Sequence, residues 1–340
     1  MAMVDYAYSN TRIRVMKSLF LKNRDLEALS RAKNFEDYLT SLKQTQYSGI
    51  FSGMEKATIH EIERVLSIDL KETIDKVMGI SPQSCVPFLD AVSKKYQLEY
   101  IKLILNSKVG NLSEEEIMSK FFIPEKSTEE FLSRLINLPI EPIDDIIALL
   151  CSRYKGLDEF IPESPQLLDI LIALDKYYFS ELQRSVKYLK RGDKKIASRL
   201  ISMEIDISNI MIILRSITRG YEIERFIIPN RSSYLTALDE YTPDNVIEFI
   251  ENLSKTIYGS VLEDVVPIYK RTDSLLCFEL ALKRFLIGEC KKIMKEHQFQ
   301  LGFILGFLKL KEMEIGNLKA ICVGIGESLP SEEIRDLLVF

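Results

Sequence analysis

The chain has 340 residues, of which 46% are hydrophobic and 28% charged, and its formal net charge is −5. This composition is typical of a soluble globular protein with an ample core, and the acidic balance argues against nucleic acid as a partner, since phosphate binding needs a basic field. The longest apolar run, residues 299–310, is far shorter than the roughly 20 residues of a membrane span, so no transmembrane segment is expected.

Helical patterns dominate the first third of the chain. Apolar residues recur at helical spacing from residue 6 to about residue 29, over residues 35–42 and over residues 59–78. A further helix, which carries the motif described below, is predicted to end at Gly110.

The helical pattern continues to the C-terminus. The longer predicted helices span residues 167–190, 194–219, 242–254, 275–295 and 299–321, and a short one spans residues 331–338. Glycine and proline are few, at 14 and 11 residues, and no segment alternates convincingly as a half-buried strand would. The sequence therefore predicts an all-α fold.

A short motif occurs three times along the chain. Its copies are Gln97-Leu-Glu-Tyr100, Asp206-Ile-Ser-Asn209 and Glu314-Ile-Gly-Asn317, and the first has both polar positions replaced. Residue 209 follows residue 100 by 109 positions and residue 317 follows residue 209 by 108, while residues 121–127 recur as residues 226–232. A period of this length is close to one small domain, so we predict three related helical units, residues 1–124, 125–229 and 230–340.

The polar residues of the motif are predicted to be buried. The helix around Asp206 and Asn209 is apolar on nearly every side, and buried polar groups must be hydrogen-bonded. One interpretation is an acidic ligand-binding or catalytic site. We favour a structural clamp, because the first copy lacks both polar residues. The four clamp residues would be Asp206, Asn209, Glu314 and Asn317, and Asp206 and Asn209 are expected to bond to donors inside their own unit.

No pattern typical of catalysis or cofactor binding is recognisable. The two histidines are isolated, the pair Asp144-Asp145 suits a helix N-terminus, and Gly324-Ile-Gly326 lacks a preceding strand and a phosphate-binding lysine. The five cysteines are scattered singly, as expected for free thiols. These patterns predict a protein without catalytic residues, metal, cofactor or bound nucleotide.

Four sequence motifs follow one another in a fixed order. They are the run from Tyr6 to Arg14, a stretch with Phe35, Asp37, Tyr38, Leu39, Leu42, Thr45 and Tyr47, the run from Glu204 to Ile210, and Lys311, Glu314, Asn317 and Leu318. This set resembles the C subunit of the archaeal and bacterial V/A-type rotary ATPases, a relative of the eukaryotic d subunit, over essentially the whole chain. The family commonly keeps Asp and Asn in the first copy, where this chain has Gln97 and Tyr100.

The resemblance implies a funnel-shaped helical protein with threefold pseudo-symmetry, which acts as a peripheral rotor subunit at the cytoplasmic face of the cell membrane. The implied partners are the proteolipid subunits of the rotor ring and the central shaft subunits, named D and F. Its implied role is mechanical coupling of ring rotation to ATP synthesis or hydrolysis, without catalysis or direct nucleotide binding. A free-standing helical adaptor and an all-α enzyme are the rival classes.

The N-terminal helix is predicted to have a basic face. Such a face is usually a solvated one. The alternative is that it contacts a partner, and the candidate contact residues are Tyr8, Asn10, Arg12 and Arg14.

Overall fold

The computed structural model describes residues 2–110, 112–113, 116–117, 126–230, 233–235 and 245–340. Within these ranges the regular structure is helical and no residue lies in a strand, so the all-α prediction is confirmed. The α-helices are α1 (Ala2–Ser18), α2 (Asn23–Leu29), α3 (Phe35–Leu42), α4 (Ile59–Ile80), α5 (Val86–Val109), α6 (Lys126–Asn137), α7 (Ile143–Arg153), α8 (Leu167–Ser185), α9 (Arg191–Arg219), α10 (Val246–Asn252), α11 (Gly259–Glu263), α12 (Val266–Thr272), α13 (Leu276–Glu296), α14 (Leu301–Gly326) and α15 (Ser331–Asp336).

The first predicted helix is divided in two, α1 and α2. Lys22 has an extended backbone, with φ −86° and ψ 161°, and its N–H donates to Asp25 Oδ2 at 2.9 Å, which caps the start of α2. The N–H of Leu21 donates instead to Glu314 Oε2 at 2.6 Å. The break is therefore fixed partly by a distant residue, which helical spacing alone does not reveal. The predicted unit boundary at residue 124, and residues 121–125 and 231–232 of the repeated segment, lie outside the described residues.

Helix α14 lies at the centre of the main core. Residues on all its sides are buried, including Leu301, Phe307 and Leu318, as expected for a helix enclosed by its neighbours. Gly306 lets α13 approach closely, since a Cβ at this position would lie 2.2 Å from Cγ of Met294. None of the described helices, α14 included, has both the length and the apolar character needed to cross a membrane.

The three motif-bearing helices α5, α9 and α14 meet at their N-terminal ends. The hydroxyl of Tyr6 on α1 donates to Asp193 Oδ2 at 2.7 Å and lies 2.9 Å from Sγ of Cys85, the residue before α5. The N–H of Leu301, the first residue of α14, donates to Asp193 Oδ1 at 3.1 Å. Burial raises the pKa of Tyr6, so its hydroxyl stays a proton donor. Buried polar contacts thus close this end of the helix cluster.

Candidate functional site

Asp206 is completely buried and receives four hydrogen bonds from residues that the structure describes. Its Oδ1 accepts from Asn230 Nδ2 and Ser233 Oγ, both at 2.7 Å, and its Oδ2 accepts from the N–H of Tyr234 at 2.8 Å and the hydroxyl of Tyr258 at 3.1 Å. Burial raises the pKa of the Asp206 carboxyl, and the four donors oppose this by favouring the charged form. The carboxylate is thus satisfied by protein groups on both oxygens.

The four donors to Asp206 all come from residues after the predicted unit boundary at Pro229. The expectation that Asp206 would bond to donors inside its own unit is therefore wrong. The reason is that α9 carries Asp206 on the side that faces the following segment. The contact joins consecutive parts of the chain.

Asn209 and Asn317 each make a reciprocal pair of hydrogen bonds with one downstream residue. The side chain of Asn209 donates to the carbonyl of Ile228 and accepts from its N–H, both at 2.9 Å. Asn317 does the same with Val339, at 2.6 Å and 2.9 Å. The N–H and carbonyl groups of Ile228 and Val339 are buried and make no helical hydrogen bonds. Each asparagine side chain therefore supplies one acceptor and one donor that these backbone groups would otherwise lack.

Glu314 binds groups from the beginning of the chain. Its Oε1 accepts from the hydroxyl of Tyr47 at 2.5 Å, its Oε2 accepts from the N–H of Leu21 at 2.6 Å, and Lys311 Nζ lies 3.5 Å from Oε1. Burial raises the pKa of Glu314 as it does for Asp206. The two residues that donate to Glu314 are 293 and 267 residues away in the chain, so this acid joins the two ends of the protein.

The tyrosines that donate to Asp206 and Glu314 were not foreseen from the sequence. Tyr47 and Tyr258 each follow a threonine by two residues, and the hydroxyl of Thr45 or Thr256 accepts the tyrosine N–H at 3.2 Å in both places. This repeated Thr-x-Tyr pattern is the signal that identifies them. It places a tyrosine hydroxyl opposite the acidic residue of the second and third motif copies.

The first motif copy has different surroundings. Gln97 and Tyr100 are half-buried and line a cavity of about 220 Å³ between α4, α5, α6 and α14. Lys319 also lines this cavity and donates to Ser67 Oγ at 2.7 Å. The copy that has Gln97 and Tyr100 in place of the acid and the asparagine therefore lies beside a cavity.

A cluster of charged residues lies where the three motif helices face one another. Its members Lys95, Glu204 and Glu312 stand two positions before the motif in each of the three copies, and Lys309 completes it. Lys309 Nζ lies 2.8 Å from Glu204 Oε2 and 3.2 Å from Glu312 Oε2, and Lys95 donates to Glu312 Oε1. Burial alone would raise the pKa of Glu312, but Lys309 and Lys95 outweigh it and lower the value to about 2. The two lysines and two glutamates therefore neutralise one another at neutral pH.

A central cavity of about 520 Å³ extends from this charged cluster. Its apolar wall includes residues from five helices and the C-terminal segment, among them Leu98, Phe179, Ile207, Leu286, Met313 and Val339. The exposed residue Lys283 also lines it, so the cavity reaches solvent. No group of three or more His, Cys, Asp or Glu side chains in the described part of the chain is placed to hold a metal ion. A mostly apolar wall with mutually neutralised charges suits a protein segment better than a charged small molecule.

The predicted partner-contact residues on α1 do not share one surface. Tyr8 is 63% exposed, and Arg12 and Arg14 are exposed as well. Asn10 is only 1% exposed, and its Nδ2 donates to the carbonyl of Gln298 at 2.8 Å. Asn10 lies on the inner side of α1, between Tyr6 and Ile13, so it is not available on the surface to contact a partner.

Comparison with known proteins assigns the family. The model of the ATP synthase (C/AC39) subunit family matches residues 9–337. The chain belongs to this family. The resemblance inferred from the four motifs is therefore confirmed. The match to the family model shows that the chain is an ATP synthase subunit of the C/AC39 type.

Curated relatives from this family match over nearly the whole chain. The C subunit of the A-type ATP synthase of Methanocaldococcus jannaschii is 27% identical over 360 residues, which cover 98% of this chain and 86% of the relative. The corresponding proteins of Methanosphaera stadtmanae and Pyrococcus horikoshii are 28% and 25% identical, over 98% of this chain and 88% and 90% of the relatives.

Proposed function

We propose that this C/AC39 subunit is the non-catalytic socket of the central stalk in a V/A-type ATP synthase. One side of it rests on the proteolipid ring at the cytoplasmic face of the membrane, and its central cavity receives the foot of the shaft made by the D and F subunits. Rotation of the ring then turns the shaft during ATP synthesis, and the reverse occurs during hydrolysis.

The central cavity is the observation that carries this proposal. It is lined by all three motif helices and is solvent-accessible beside Lys283, and the contacts of Tyr6 and Asp193 join the N-terminal ends of these helices. A segment of the shaft would pack its apolar residues on the cavity wall, and the neutral cluster around Lys309 would not repel either sign of charge.

The same proposal includes the three-unit architecture. Units 1–124, 125–229 and 230–340 would surround the cavity with threefold pseudo-symmetry and give the protein a funnel shape. The equivalent positions of Lys95, Glu204 and Glu312 around one cluster support this arrangement.

We further propose that the buried motif residues have a structural role. The bonds of Asp206 to residues after 229 would join unit 2 to unit 3, and those of Glu314 to Leu21 and Tyr47 would join unit 3 to unit 1. Asn209 and Asn317 would hold the segments that leave units 2 and 3.

Site-specific photo-cross-linking tests the socket. A photoreactive amino acid in place of Leu280, which lines the cavity, should cross-link to a shaft protein, D or F, in the membrane-extracted complex. The matched control is Leu103, which is 42% exposed on α5 and does not line the cavity. Cross-links to the shaft from Leu103 but not from Leu280 would refute the socket. If the native protein runs only as a monomer without ATP synthase partners, the whole assignment fails.

A further inference from the structure

The exposed residue Arg14 on α1 is held in a defined orientation. Its guanidinium carbon lies 5.5 Å from the ring centroids of both Phe299 and Phe303, and its Nη2 donates to Gln298 Oε1 at 3.0 Å. Arg14 is nevertheless exposed, so its other N–H groups face outward. A guanidinium held by ring contacts loses little side-chain entropy when it binds a carboxylate through two hydrogen bonds.

Arg14 borders a groove between α1 and the end of α13, which we call the basic groove. Arg14, Lys17 and Lys295 line its rim, and the buried side chains of Met294 and Phe303 also line it. In the described part of the chain, none of the three cations lies within 4.0 Å of a carboxylate. The groove therefore carries three positive charges that the protein itself does not neutralise.

The basic groove lies on the closed side of the helix cluster. It touches α14 at Phe303, whereas the residues of α14 that line the central cavity begin at Lys309 and continue to Ala320. At a rise of about 1.5 Å per residue, Ala320 is roughly 25 Å along the helix from Phe303. A partner in the groove and a shaft segment in the cavity would bind the protein from different sides.

We propose that the basic groove is the docking surface for an acidic segment of the proteolipid ring. A carboxylate of that segment binds Arg14 between Lys17 and Lys295. The groove is recessed, so it fits a protruding chain segment better than the flat surface of a bilayer. The inference rests on the proposed function, which places the ring on the side opposite the shaft.

Charge reversal in the basic groove tests the proposal. The variant Arg14→Glu/Lys17→Glu/Lys295→Glu should bind the purified ring in zwitterionic nanodiscs at least about tenfold more weakly than wild type, with most of the loss at low salt. The control Arg271→Glu/Lys255→Glu/Lys270→Glu changes the net charge equally at exposed positions far along the chain, and should bind like wild type. Both variants should retain the wild-type melting temperature and bind the isolated D–F shaft normally.

Each outcome of this experiment has a distinct meaning. Equal ring binding by wild type and the groove variant overturns the docking surface, and so does an equal loss in the control variant. Wild-type binding to anionic vesicles without the ring, abolished in the groove variant, would make lipid headgroups the occupant and also overturn it. If wild type binds neither ring nor shaft, the proposed function itself fails.

Discussion

The hydroxyl of Tyr47 donates a 2.5 Å hydrogen bond to Glu314, joining two residues that are 267 positions apart in the chain. Tyr258 makes the equivalent bond to Asp206 at 3.1 Å. In both cases burial raises the pKa of the acid, and the tyrosine is one of the groups that oppose this by favouring the charged form.

Removal of the Tyr47 hydroxyl should destabilise the fold more than removal of the Tyr258 hydroxyl. Tyr47→Phe leaves Glu314 with the N–H of Leu21 and the more distant Lys311, and it also removes the acceptor that the Tyr47 hydroxyl offers to Lys311. It should lower the free energy of unfolding by about 2–3 kcal/mol. Tyr258→Phe leaves Asp206 three donors and should cost about 1 kcal/mol. Urea unfolding of the two variants measures the difference, and an equal or reversed order would contradict it.

Replacement of Asp206 should be costly even when the shape is kept. Asp206→Ala leaves four donors without an acceptor and should cost about 2–4 kcal/mol. Asp206→Asn should still cost about 2 kcal/mol, because each oxygen faces one N–H donor that cannot accept a bond from the new amide. The readout is again urea unfolding. A variant as stable as wild type that abolishes ATP-driven rotation would show instead that Asp206 faces a partner.

Acid should weaken the central charged cluster through Glu312. A carboxyl group whose folded-state pKa is lowered stabilises the fold above its unfolded pKa, and this contribution is lost as the pH falls. For Glu312 the window runs from its ordinary value of 4.5 down to about 2. The free energy of unfolding should therefore decrease between pH 5 and pH 3 in both proteins. The decrease should be about 1–2 kcal/mol smaller in Glu312→Gln than in wild type. Asp206 and Glu314 contribute with the opposite sign, since their pKa values are raised, but they are present in both proteins. Parallel pH curves for the two proteins would disprove the assignment to Glu312.

Two glycine substitutions should have opposite effects. Gly306→Ala places a Cβ 2.2 Å from Met294 Cγ and 3.0 Å from the carbonyl of Cys290, so α13 and α14 must move apart. We expect a loss of about 1–3 kcal/mol. Gly288→Ala is the control on α13, where no atom lies within 4 Å of the added carbon, and should gain up to about 1 kcal/mol from helix propensity. Thermal unfolding distinguishes the two, and stabilisation by Gly306→Ala would contradict the close packing.

The sequence predicts the helices well because their signal is local. The pattern over residues 35–42 matches α3 at both ends, and the motif helix predicted from residue 194 begins three residues earlier and ends at Arg219 as expected. Burial of Asp206 also follows from the apolar residues around it on the same helix.

The tertiary partners could not be predicted from local patterns. The break after α1 depends on Glu314, and the donors to that acid come from Leu21 and Tyr47, far away in sequence. Asn10 resembled a surface residue within a polar run, but the rotation of α1 places it against Gln298. Each of these features depends on how distant helices meet, which helical spacing does not encode.

The bonds of Glu314 also constrain how the chain can fold during synthesis. Leu21 and Tyr47 leave the ribosome well before residue 314 is made. The core around the N-terminal helices therefore cannot be completed until α14 has been synthesised. Contacts of such high sequence separation slow folding and leave apolar surface exposed in the meantime. A nascent chain stalled before α14 should therefore have an unprotected N-terminal region, which limited proteolysis of ribosome-bound chains would detect.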